Sequence, residues 1–586
     1  MFQLEKMGYA FDETHRIWVR PGYGGIDYND GDTTERRLAR IVSQAGDVSV
    51  FSPELRRHCK SWAKLYHLSA QRGNVLRPFE DLLEGNILEI GAGCGAISRY
   101  LGEAGGRILA LEGSPRRAAI TASRTRDLPN VTVLAERFDD FNCDDLFDAI
   151  TLIGVLEYAG MFSDGNAPAL NMLQRVRRML KLNGRLFIAI ENQLGLKYFA
   201  GAQEDHIGRA MYGIEGRYQH GQPQTYGRQT LANLVSAAGF ACIEFLAPFP
   251  DYKLPKSILT EQGCAAKDFD AAAFAWQSIK ADPQLPATPH FDLMRTWSTV
   301  FGNGLGLELS NSFIVVASQT KQRAVAEQVL AFHYSTDRKA AFCKETRFVR
   351  GTTDNIIVRY RLLAKKVEAG SAEYELVLPE KDVYRRGRLL SETFIEVFST
   401  PGWTIARAAE LVKSYLQYLR VLLKAHGHDE VDLNSLNCRL PGAFIDAIPQ
   451  NIIVSPDGSP QLIDMEWRAR REIELGHLLF RLLTHLAGIF APLDEVQGIS
   501  RKEFMESLFA AAGIPAGNGD LARYSAREAE FQLEVNGTGM KWHPHHSLVR
   551  SKVRAGSLRN SCRRFQRKIS ERLRRAKARL SSKTRA

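Results

Sequence analysis

Two patterns of hydrophobic positions alternate along the first 320 residues. Short apolar runs, typical of buried strands, are separated by segments whose apolar residues recur every three or four positions, as in MLQRVRRML. The runs are NILEI, ILALE, VTVLAE, DAITLIGV and RLFIAI, followed by ACIEFLAPF and NSFIVVAS (311–318). Strands that alternate with helices predict an α/β domain with a mainly parallel sheet.

A glycine-rich turn joins the first of these strands to a helix. Gly91, Gly93 and Gly95 leave the backbone of the turn open to close approach by a ligand. Glu112 ends the next strand, roughly 20 residues after the turn begins, where nucleotide-binding folds place the carboxylate that binds ribose hydroxyls. Glu89, just before the turn, would repel a pyrophosphate and attract a positively charged amino-acid group.

This E-x-G-x-G-x-G pattern resembles motif I of class I S-adenosylmethionine (SAM) methyltransferases. The acidic end of the third strand and the elements GVLEY and GRLFIAIEN follow in that family's order, although Ala135-Glu136 replaces its usual Gly-Asp pair. The resemblance implies a Rossmann-like sheet, mainly parallel with one antiparallel strand, and SAM as cofactor. An NAD-binding Rossmann domain, or glycines that serve only tight packing, are the alternatives. The implied cofactor contacts are Glu89, Gly91, Gly93, Gly95, Glu112, Gly113, Ser114, Glu136, Arg137 and Phe138.

A long loop, residues 191–221, follows the fifth strand. Loops beyond about 15 residues are uncommon in compact domains and often functional, and this one begins at the sheet edge where open α/β folds bind ligands. A hydroxyl acceptor for a methyl group profits from a general base. We expect His206 to be that base, with Asp205 or Glu204 orienting it and Glu191 as a further catalytic candidate; a loop histidine bonded to backbone is the alternative. Aromatic residues that stack on a sugar, or only anchor the loop, are Tyr198, Phe199 and Tyr212.

The C-terminal half carries a second spaced motif. Asp446 precedes Asn451 by five residues, and Asp464 follows a Ser-Pro-Asp-Gly turn. This spacing resembles the catalytic loop and metal-binding aspartate of protein-kinase-like phosphotransferases. The resemblance implies a degenerate kinase-like α+β domain in which Asp446 is catalytic, Asn451 and Asp464 hold Mg²⁺ for ATP, and Lys344 binds phosphates.

Several positions depart from that kinase pattern. Phe444 stands where the family has histidine, Met465-Glu466 replaces Phe-Gly, and no glycine-rich loop precedes Lys344. A kinase-shaped binding module and an unrelated α+β domain therefore stay open.

Composition and charge limit the function classes. The chain has 586 residues, 45% of them hydrophobic and 24% charged, as in an ordinary globular protein of two or three domains. Eight scattered cysteines without a C-x-x-C pair predict reduced thiols rather than a disulfide framework or a zinc site. The sequence lacks an 18-residue apolar run and an N-terminal signal core, so we expect a cytoplasmic protein.

The net charge of +11 is concentrated in a C-terminal tail. Residues 550–586 hold 15 Lys or Arg and one Glu, a local net charge of +14, which leaves −3 for the rest of the chain. Apolar residues at steps of three and four between 558 and 580 predict an amphipathic helix with a cationic face. Such a helix binds an anionic membrane surface, a partner helix or, less expectedly here, nucleic acid.

These features predict four segments. They are a cap or lid (1–80), in which LYHLSAQRGNVLRPFEDLL either covers the cofactor or only packs on the sheet, a methyltransferase domain (81–320), a kinase-like domain (325–515) and a linker with the basic tail (516–586).

The wider resemblance covers most of residues 50–485. YHLSAQRGNVLRP, IENQLGLKYFAGAQEDH, PFPDYKLP and LIDMEW resemble large methyltransferases of bacterial surface-polysaccharide gene clusters, and the domain order is similar to that of bifunctional O-antigen chain-terminating methyltransferase-kinases. The resemblance implies O-methylation of a polysaccharide or lipid-linked glycan at the inner face of the cell membrane. Its bifunctional members suggest that phosphorylation is coupled to this methylation. A small-molecule or nucleic-acid methyltransferase, and a non-catalytic SAM-binding scaffold that recruits glycosyltransferases, are the rival functions.

Overall fold

The computed structural model describes residues 2–26, 31–162, 165–286, 289–352, 355–364, 373–398, 400, 402–489 and 499–546. The described residues form two compact units. The first unit runs to Thr336 and includes Arg347–Arg350, and the second comprises Asp337–Thr346 and the described chain from Gly351 onward. The basic tail predicted at 550–586 lies outside the described residues.

The first unit is an α/β structure. Its strands and helices, in chain order, are β1 (Ala10–Asp12), β2 (Ile17–Val19), α1 (Asp32–Gln44), α2 (Pro53–Arg56), α3 (Trp62–Leu68), β3 (Asn86–Ile90), α4 (Ala96–Ala104), β4 (Arg107–Glu112), α5 (Pro115–Arg124), β5 (Val131–Ala135), β6 (Phe147–Ile153), α6 (Ala159–Phe162), α7 (Pro168–Met179), β7 (Leu180–Glu191), α8 (Leu196–Phe199), α9 (Arg228–Ala237), β8 (Cys242–Phe249), β9 (Ser257–Thr260), α10 (Glu261–Ala265), α11 (Ala271–Ser278), α12 (Leu293–Gly302), β10 (Ser312–Ser318) and β11 (Val329–Ser335). Short 3-10 helices lie at Glu5–Met7, Ala70–Val75, Arg77–Leu82, Phe138–Asp140, Leu156–Tyr158 and Ile279–Ala281.

The sheet of this unit has a parallel centre. Strands β5, β4, β3, β6 and β7 lie side by side in that order and run in one direction. The chain order reverses between β3 and β6, so the carboxyl ends of these two strands frame the crevice where open α/β sheets bind ligands. The predicted Rossmann-like, largely parallel sheet is confirmed.

The predicted count of one antiparallel strand is too low. β10 runs against β7 and β8, as expected, but β1 also runs against β2, and β9 against β8. In both added cases a short connection joins consecutive strands, and a short hairpin connection necessarily reverses the chain direction. These two hairpins were not predicted from the sequence.

The central strands are continuously apolar because helices cover both faces of the sheet. In β3, Ile87, Leu88 and Ile90 are buried, and every residue of β10 is buried. The α4 helix packs its apolar face, including Ile97 and Leu101, against this sheet. A polar residue at the end of such a strand, such as Glu112 in β4, is therefore unusual and marks the ligand-binding edge of the sheet.

The predicted N-terminal cap segment packs against the first unit in two places. From α1, Leu38 and Val42 form an apolar cluster with Leu68 and with Ile120 of α5, which is plain packing. Trp62 at the start of α3 contacts Leu254. The residues that follow α3 approach the carboxyl end of the sheet, as described below.

The second unit is an α+β structure. Its elements are β12 (Lys344–Arg350), of which Arg347–Arg350 belong to the first unit, β13 (Ile356–Leu362), β14 (Tyr374–Leu376), β15 (Lys381–Val383), β16 (Arg388–Leu389), α13 (Leu390–Phe398), α14 (Ile405–Ala425), β17 (Arg439–Leu440), β18 (Ile452–Val454), β19 (Pro460–Leu462), β20 (Trp467–Ala469), β21 (Ile473–Glu474), α15 (Leu475–Ile489), α16 (Arg501–Ala511) and α17 (Asp520–Asn536), with 3-10 turns at Ala340–Phe342, Gly442–Asp446 and Pro449–Asn451.

Helix α14 is the longest helix of the second unit's described residues. Thr404 caps it by accepting the N–H of Arg407, and Val412, Tyr415 and Leu419 are buried along one face. Helix α17 lies within the segment that the sequence predicts to be a linker. Across the described parts of both units, every helix is too short or too polar to cross a lipid bilayer.

Candidate functional site

The glycine turn after β3 adopts a backbone conformation that favours glycine. Gly91 and Gly93 have φ angles of 77° and 62°. A Cβ at Gly91 would lie 2.6 Å from Cγ2 of Val155, and the backbone N–H groups of Gly91 and Ala92 donate to the carbonyl of Leu111 at 2.8 and 3.0 Å. The turn is thereby fixed against the end of β4, with its backbone facing the cavity.

Glu112 connects the two ends of this motif. Its Oε2 accepts the N–H of Gly93 at 2.7 Å, and its Oε1 accepts the N–H of Ser114 at 3.0 Å. The side chain is buried, and each carboxylate oxygen can accept a second hydrogen bond. The two backbone bonds therefore hold the carboxylate in position while leaving it capable of binding a pair of hydroxyls.

Glu89 is a buried carboxylate in the wall of the same cavity. Its Oε2 makes no hydrogen bond to any residue that the structure describes. Burial raises the pKa of Glu89 to about 7, because a charged carboxylate is poorly solvated there. A cationic ligand beside it would satisfy both the oxygen and the charge.

One cavity of the first unit collects most of the predicted site. The sequence-predicted residues in its wall are Glu89, Gly91, Gly93, Glu112, Gly113, Glu136, Arg137, Phe138, Glu191, Asp205 and His206.

Gly95 and Ser114 do not line this cavity. Gly95 caps α4 with a φ of 80°, and a Cβ there would lie 2.9 Å from Cα of Thr121. Ser114 contributes its N–H to Glu112. Both support the turn through packing or backbone bonds.

The end of β5 meets an N-terminal segment that sequence reasoning did not connect with the site. Arg20 forms an ion pair of 2.6 Å with the buried Glu136, and Tyr23 donates its hydroxyl to the carbonyl of Gly113 at 2.7 Å. Ile26 lines the cavity. No local motif marks these residues, because their contacts depend on β2 pairing with β5.

Two predicted adenine contacts are already engaged. The guanidinium of Arg137 donates to the carbonyl of Phe162 at 3.0 Å, and the guanidinium of Arg175 lies 4.9 Å from the ring centre of Phe138. Both residues still line the cavity. Together with Glu136, they form the wall of the cavity at the end of β5.

The predicted lid contributes a polar and aromatic wall. Its cavity-lining residues, from α3 and the 3-10 helix after it, are Trp62, Tyr66, His67 and Arg72. The guanidinium of Arg72 stacks 4.2 Å from the ring centre of Tyr66 and donates to the carbonyl of Lys253 at 2.7 Å. These contacts tie the segment to the opposite side of the cavity.

His206 lies beside Glu191 at the end of β7. Its Nε2 is 3.4 Å from Oε2 of Glu191, and its Nδ1 is 3.1 Å from the hydroxyl of Tyr158. The expected orienting residues differ, because Glu204 accepts the backbone N–H of His206 at 2.9 Å rather than the ring. Burial lowers the pKa of His206, but Glu191 outweighs burial and raises that pKa to about 10. The imidazole therefore holds a proton in this arrangement and is not a base at neutral pH.

Asp205 belongs to a network with two lysines that the sequence analysis did not single out. The Nζ of Lys197 lies 3.2 Å from Asp205 and 3.1 Å from Asp251, and the Nζ of Lys253 lies 3.0 Å from Asp205 and contacts Glu191. Lysines are rarely buried unless paired, and these pairs hold the loop to β7 and to the segment after β8. The motif PFPDYKLP contains Asp251 and Lys253 and is the signal that could have revealed them.

The aromatic residues proposed for sugar stacking do not line the cavity. Tyr198 is buried and donates its hydroxyl to Asp205, and Tyr212 donates to Gln222 at 3.1 Å, so both anchor the loop. Phe199 is half-exposed elsewhere. Tyr158 and Tyr252 are instead the aromatic residues in this part of the wall.

Glu157 was not singled out from the sequence either, although it lies in the LEY element. It is buried in the cavity wall, close to Glu191 and His206. Burial and the charge of Glu191 raise the pKa of Glu157 to about 8.

In the second unit, Lys344 meets the predicted metal residue. Its Nζ lies 2.5 Å from Oδ1 of Asp464 and 2.7 Å from Oε2 of Glu466. Asp464 is partly exposed and has a left-handed φ of 48°. Glu466, a departure from the kinase pattern, is thus an ion-pair partner of Lys344.

Asp446 is placed differently from a free catalytic carboxylate. It is buried, accepts Arg481 at 2.9 Å and the backbone N–H of Trp467 at 3.2 Å, and its carbonyl accepts Nδ2 of Asn451 at 3.0 Å. Burial raises the pKa of Asp446 to about 6, and Arg481 limits the rise. Its carboxylate is therefore committed to Arg481 and the backbone of the unit.

Comparisons with known proteins address the first unit. Residues 88–186 match the family model described as a methyltransferase domain, whereas no curated protein matches the chain. Among solved structures, the chain is similar to phosphoethanolamine N-methyltransferase 2 of Haemonchus contortus, with 14% identity over 43% of this chain and 52% of that chain and a TM-score of 0.26. The chain thus spans about half the length of that enzyme.

Two other solved structures are matched over nearly their whole length. The N-methyltransferase NodS of Bradyrhizobium japonicum has 14% identity over 42% of this chain and 93% of that chain, with a TM-score of 0.24. A possible histamine N-methyltransferase of Thermotoga maritima has 16% identity over 48% of this chain and 100% of that chain, with a TM-score of 0.25. The match of residues 88–186 to a methyltransferase domain agrees with the SAM-dependent methyltransferase domain that the sequence predicts.

Proposed function

We propose that this protein transfers a methyl group from SAM to a hydroxyl of a surface polysaccharide or lipid-linked glycan. The observation that carries the proposal is that one cavity contains both the Glu89–Glu112 cofactor motif and the Glu191–His206 cluster. A cofactor and an acceptor bound in one cavity meet without water between them, which is what in-line displacement requires.

The wall residues fit SAM at one end of this cavity. Glu112 binds the ribose hydroxyls, and the unsatisfied Oε2 of Glu89 receives the ammonium group. The turn at Gly91, where a Cβ would collide with Val155, admits the ligand close to backbone. Residues 136–138 bound the adenine.

At the other end of the cavity, the buried Glu191–His206 cluster binds the acceptor. SAM, when bound, supplies an electrophilic methyl carbon: the acceptor oxygen bonds to it, the carbon–sulfur bond breaks and its electron pair remains on sulfur. The hydroxyl proton passes to the carboxylates of the cluster and from there to solvent. Since Glu191 keeps His206 protonated, His206 acts as a proton-holding partner in this arrangement, and the role of base first assigned to it passes to the carboxylates.

A glycan acceptor suits the chemistry of the wall. Lys253, Asp205 and Tyr158 place charged and hydroxyl groups beside the cluster, and such groups hydrogen-bond to the hydroxyls of a sugar. The resemblance to polysaccharide-cluster methyltransferases points the same way. A small-molecule or nucleic-acid acceptor and a non-catalytic scaffold are the rivals.

The test offers acceptors in parallel. Purified protein is incubated with methyl-labelled SAM and lipid-linked oligosaccharides, free sugars or RNA, with and without Mg-ATP. We expect label in the oligosaccharide as an ether, lost in Glu112→Gln and kept in Glu84→Gln, an exposed carboxylate just before β3. Label only in RNA or free sugars, or SAM binding without any transfer, would reject the glycan assignment.

Phosphotransfer by the second unit is a second proposal. Its support is the Lys344–Asp464–Glu466 group, because a buried lysine beside a partly exposed aspartate is the pairing that a nucleotide phosphate and Mg²⁺ would use. Asn451 donates through Nδ2 to Asp446, so its Oδ1 is the atom that can face a metal with Asp464. These residues fit the ion by their oxygen donors.

Labelled ATP tests this second activity. Transfer of the γ-phosphate to the methylated or unmethylated glycan is expected to disappear in Lys344→Met and Asp464→Asn, and to persist in Asp457→Asn, which alters only an exposed turn. Absence of phosphate uptake by the native protein with every acceptor would leave this unit as a binding module.

We further propose that the basic tail holds the enzyme at the anionic inner face of the cell membrane, where lipid-linked acceptors and glycosyltransferase partners reside. The support is its charge of +14 and its amphipathic spacing in the sequence.

A further inference from the structure

Three side chains from separate elements converge beneath the proposed acceptor site. Glu157 follows β6, Glu191 ends β7, and His206 comes from the long loop. Each offers one ligand atom, and these three atoms lie within 4.8 Å of one another. The residues are 2%, 0% and 5% exposed, respectively, and all line the cavity.

The carboxylate oxygens of this triad are incompletely satisfied. Oε2 of Glu157 and Oε2 of Glu191 are buried and make no hydrogen bond to the described residues. Nε2 of His206 lies 3.4 Å from Oε2 of Glu191, which is longer than a typical N–H···O bond. Buried carboxylate oxygens without such bonds are costly unless they bind a cation.

Local charge also favours a cation. Lys197 and Lys253 are matched by the carboxylates of Asp205 and Asp251. Although Lys253 also contacts Oε1 of Glu191, the pair Glu157–Glu191 adds two further carboxylates to the cluster. A divalent cation would balance these two carboxylates, and on binding it would displace the proton that His206 holds in its absence.

We propose that Glu157, Glu191 and His206 form a divalent-metal site whose remaining coordination positions take the hydroxyl groups of the acceptor. Two carboxylate oxygens and one imidazole nitrogen suit Mn²⁺ or Fe²⁺ better than Mg²⁺, because Mg²⁺ prefers ligands that are all oxygen. A metal held there would orient the acceptor and lower the pKa of its hydroxyl. The hydroxyl proton would pass to the carboxylate oxygen of Glu157 that does not bind the metal, and from there to solvent. The inference rests on the proposed methyl transfer to a hydroxyl and adds a cofactor to it.

The test uses Mn²⁺ as probe and full-length protein carrying Asp464→Asn, which removes the metal residue proposed for the second unit. Binding is followed by the loss of the free Mn²⁺ signal in electron paramagnetic resonance. We expect one tight site, weakened about 100-fold or more by Glu157→Gln or His206→Gln, because even second-shell losses cost 10–100-fold in metal affinity. Pulsed measurements on the bound ion should show coupling to an imidazole nitrogen.

Matched controls come from the same cavity. His67→Gln changes another lining histidine and Glu112→Gln another lining carboxylate, and both should retain Mn²⁺. Calorimetry with SAM on the Glu157 and His206 variants shows whether the fold and cofactor site survive. No tight Mn²⁺ site, unchanged affinity in Glu157→Gln and His206→Gln, or a bound ion without nitrogen coupling would overturn the metal site.

The metal site and the proposed function fail in different ways. Methyl transfer to a glycan that persists after chelation, at full rate and in metal-free buffer, would remove the metal from the reaction while leaving the proposed function intact. Tight, nitrogen-coupled Mn²⁺ binding with no methyl transfer to any hydroxyl acceptor would keep the site and reject the proposed function.

Discussion

Oε2 of Glu112 accepts the backbone N–H of Gly93 at 2.7 Å, so the carboxylate that ends β4 is held by the glycine turn that follows β3. Two features recognised separately in the sequence are thus one structural unit. The strands β3 and β4 are parallel neighbours, which brings their carboxyl ends to the same edge. Changes at Glu112 therefore affect both the turn and the ligand.

The first prediction concerns Glu112→Gln. An amide presents an NH₂ group where a carboxylate oxygen accepted an N–H, and hydrogen bonds to charged groups are worth about 1.5–3 kcal/mol each. We expect SAM affinity to fall roughly 10–100-fold, measured by calorimetry. Glu84→Gln is the control and should bind normally; equal affinities in the two variants would contradict the placement of the ribose.

The second prediction is a pH dependence of SAM binding. Since burial raises the pKa of Glu89 to about 7, the free protein carries a proton there below that pH, and a cationic ligand must displace it. Affinity should be constant above pH 7 and fall by up to about tenfold per pH unit below it. Calorimetry between pH 5.5 and 8.5 checks this, and a flat profile would be inconsistent with an ammonium at Glu89.

The variant Glu89→Gln provides the matched check. A carboxyl whose folded pKa is raised from 4.5 to about 7 loses stability as pH rises through that interval. Removing the charge should therefore raise the free energy of unfolding at pH 8, by up to about 3 kcal/mol, while SAM affinity drops and its pH dependence disappears. Lower stability in the variant would show that the Glu89 carboxylate is better satisfied than its contacts indicate.

The third prediction concerns Lys253→Met. Removing this lysine leaves Asp205 and Glu191 without one of their cationic partners, and breaking a buried ion pair from one side costs about 3–5 kcal/mol. We expect a clear fall in the unfolding temperature of the first unit together with loss of methyl transfer. Lys60→Met, at an exposed position, should change neither property. Unchanged stability in Lys253→Met would mean that the network is a binding surface without a structural role.

The fourth prediction separates structure from catalysis at Asp446. Asp446→Asn weakens its bond to Arg481, a buried guanidinium that also pairs with Glu528 of α17. The second unit should lose about 3 kcal/mol of stability, and thermal unfolding will measure it against Asp457→Asn. A variant of native stability that lacks phosphotransfer would instead restore the catalytic role first assigned to Asp446.

The cofactor half of the site was predictable because its information is local. Residues 86–114 contain a strand, a turn, a helix and a second strand that ends on Glu112, and parallel pairing alone brings Glu112 to the turn. The information that specifies the acceptor half of the site is not local in the sequence. Glu157, Lys197 and Lys253 come from separate segments, and their pairing depends on how the loop packs against β7 and the segment after β8. A sequence pattern cannot supply that packing.

The protonation of His206 also could not be predicted from the sequence. A histidine beside acidic residues in sequence suggested a base, but its ring meets Glu191 instead of its neighbours Glu204 and Asp205. Buried charge pairs decide the pKa values, and such pairs exist only in the folded chain. The same holds for Asp446, because its partner Arg481 lies on α15 and also pairs with Glu528 of α17.

The last prediction concerns the basic tail. Truncation after residue 549 removes a net charge of +14, and each Lys or Arg near an anionic membrane contributes about 1 kcal/mol of attraction. We expect the full-length protein to sediment with vesicles containing anionic lipid but not with neutral vesicles, and the truncated protein to sediment with neither. Raised salt should weaken the interaction, because it screens charge. Because the truncation keeps every described residue of the first unit, SAM affinity serves as the control for folding. Equal sedimentation of both proteins, or a tail that prefers RNA over anionic vesicles in competition, would contradict a membrane role and would move the acceptor away from the membrane surface.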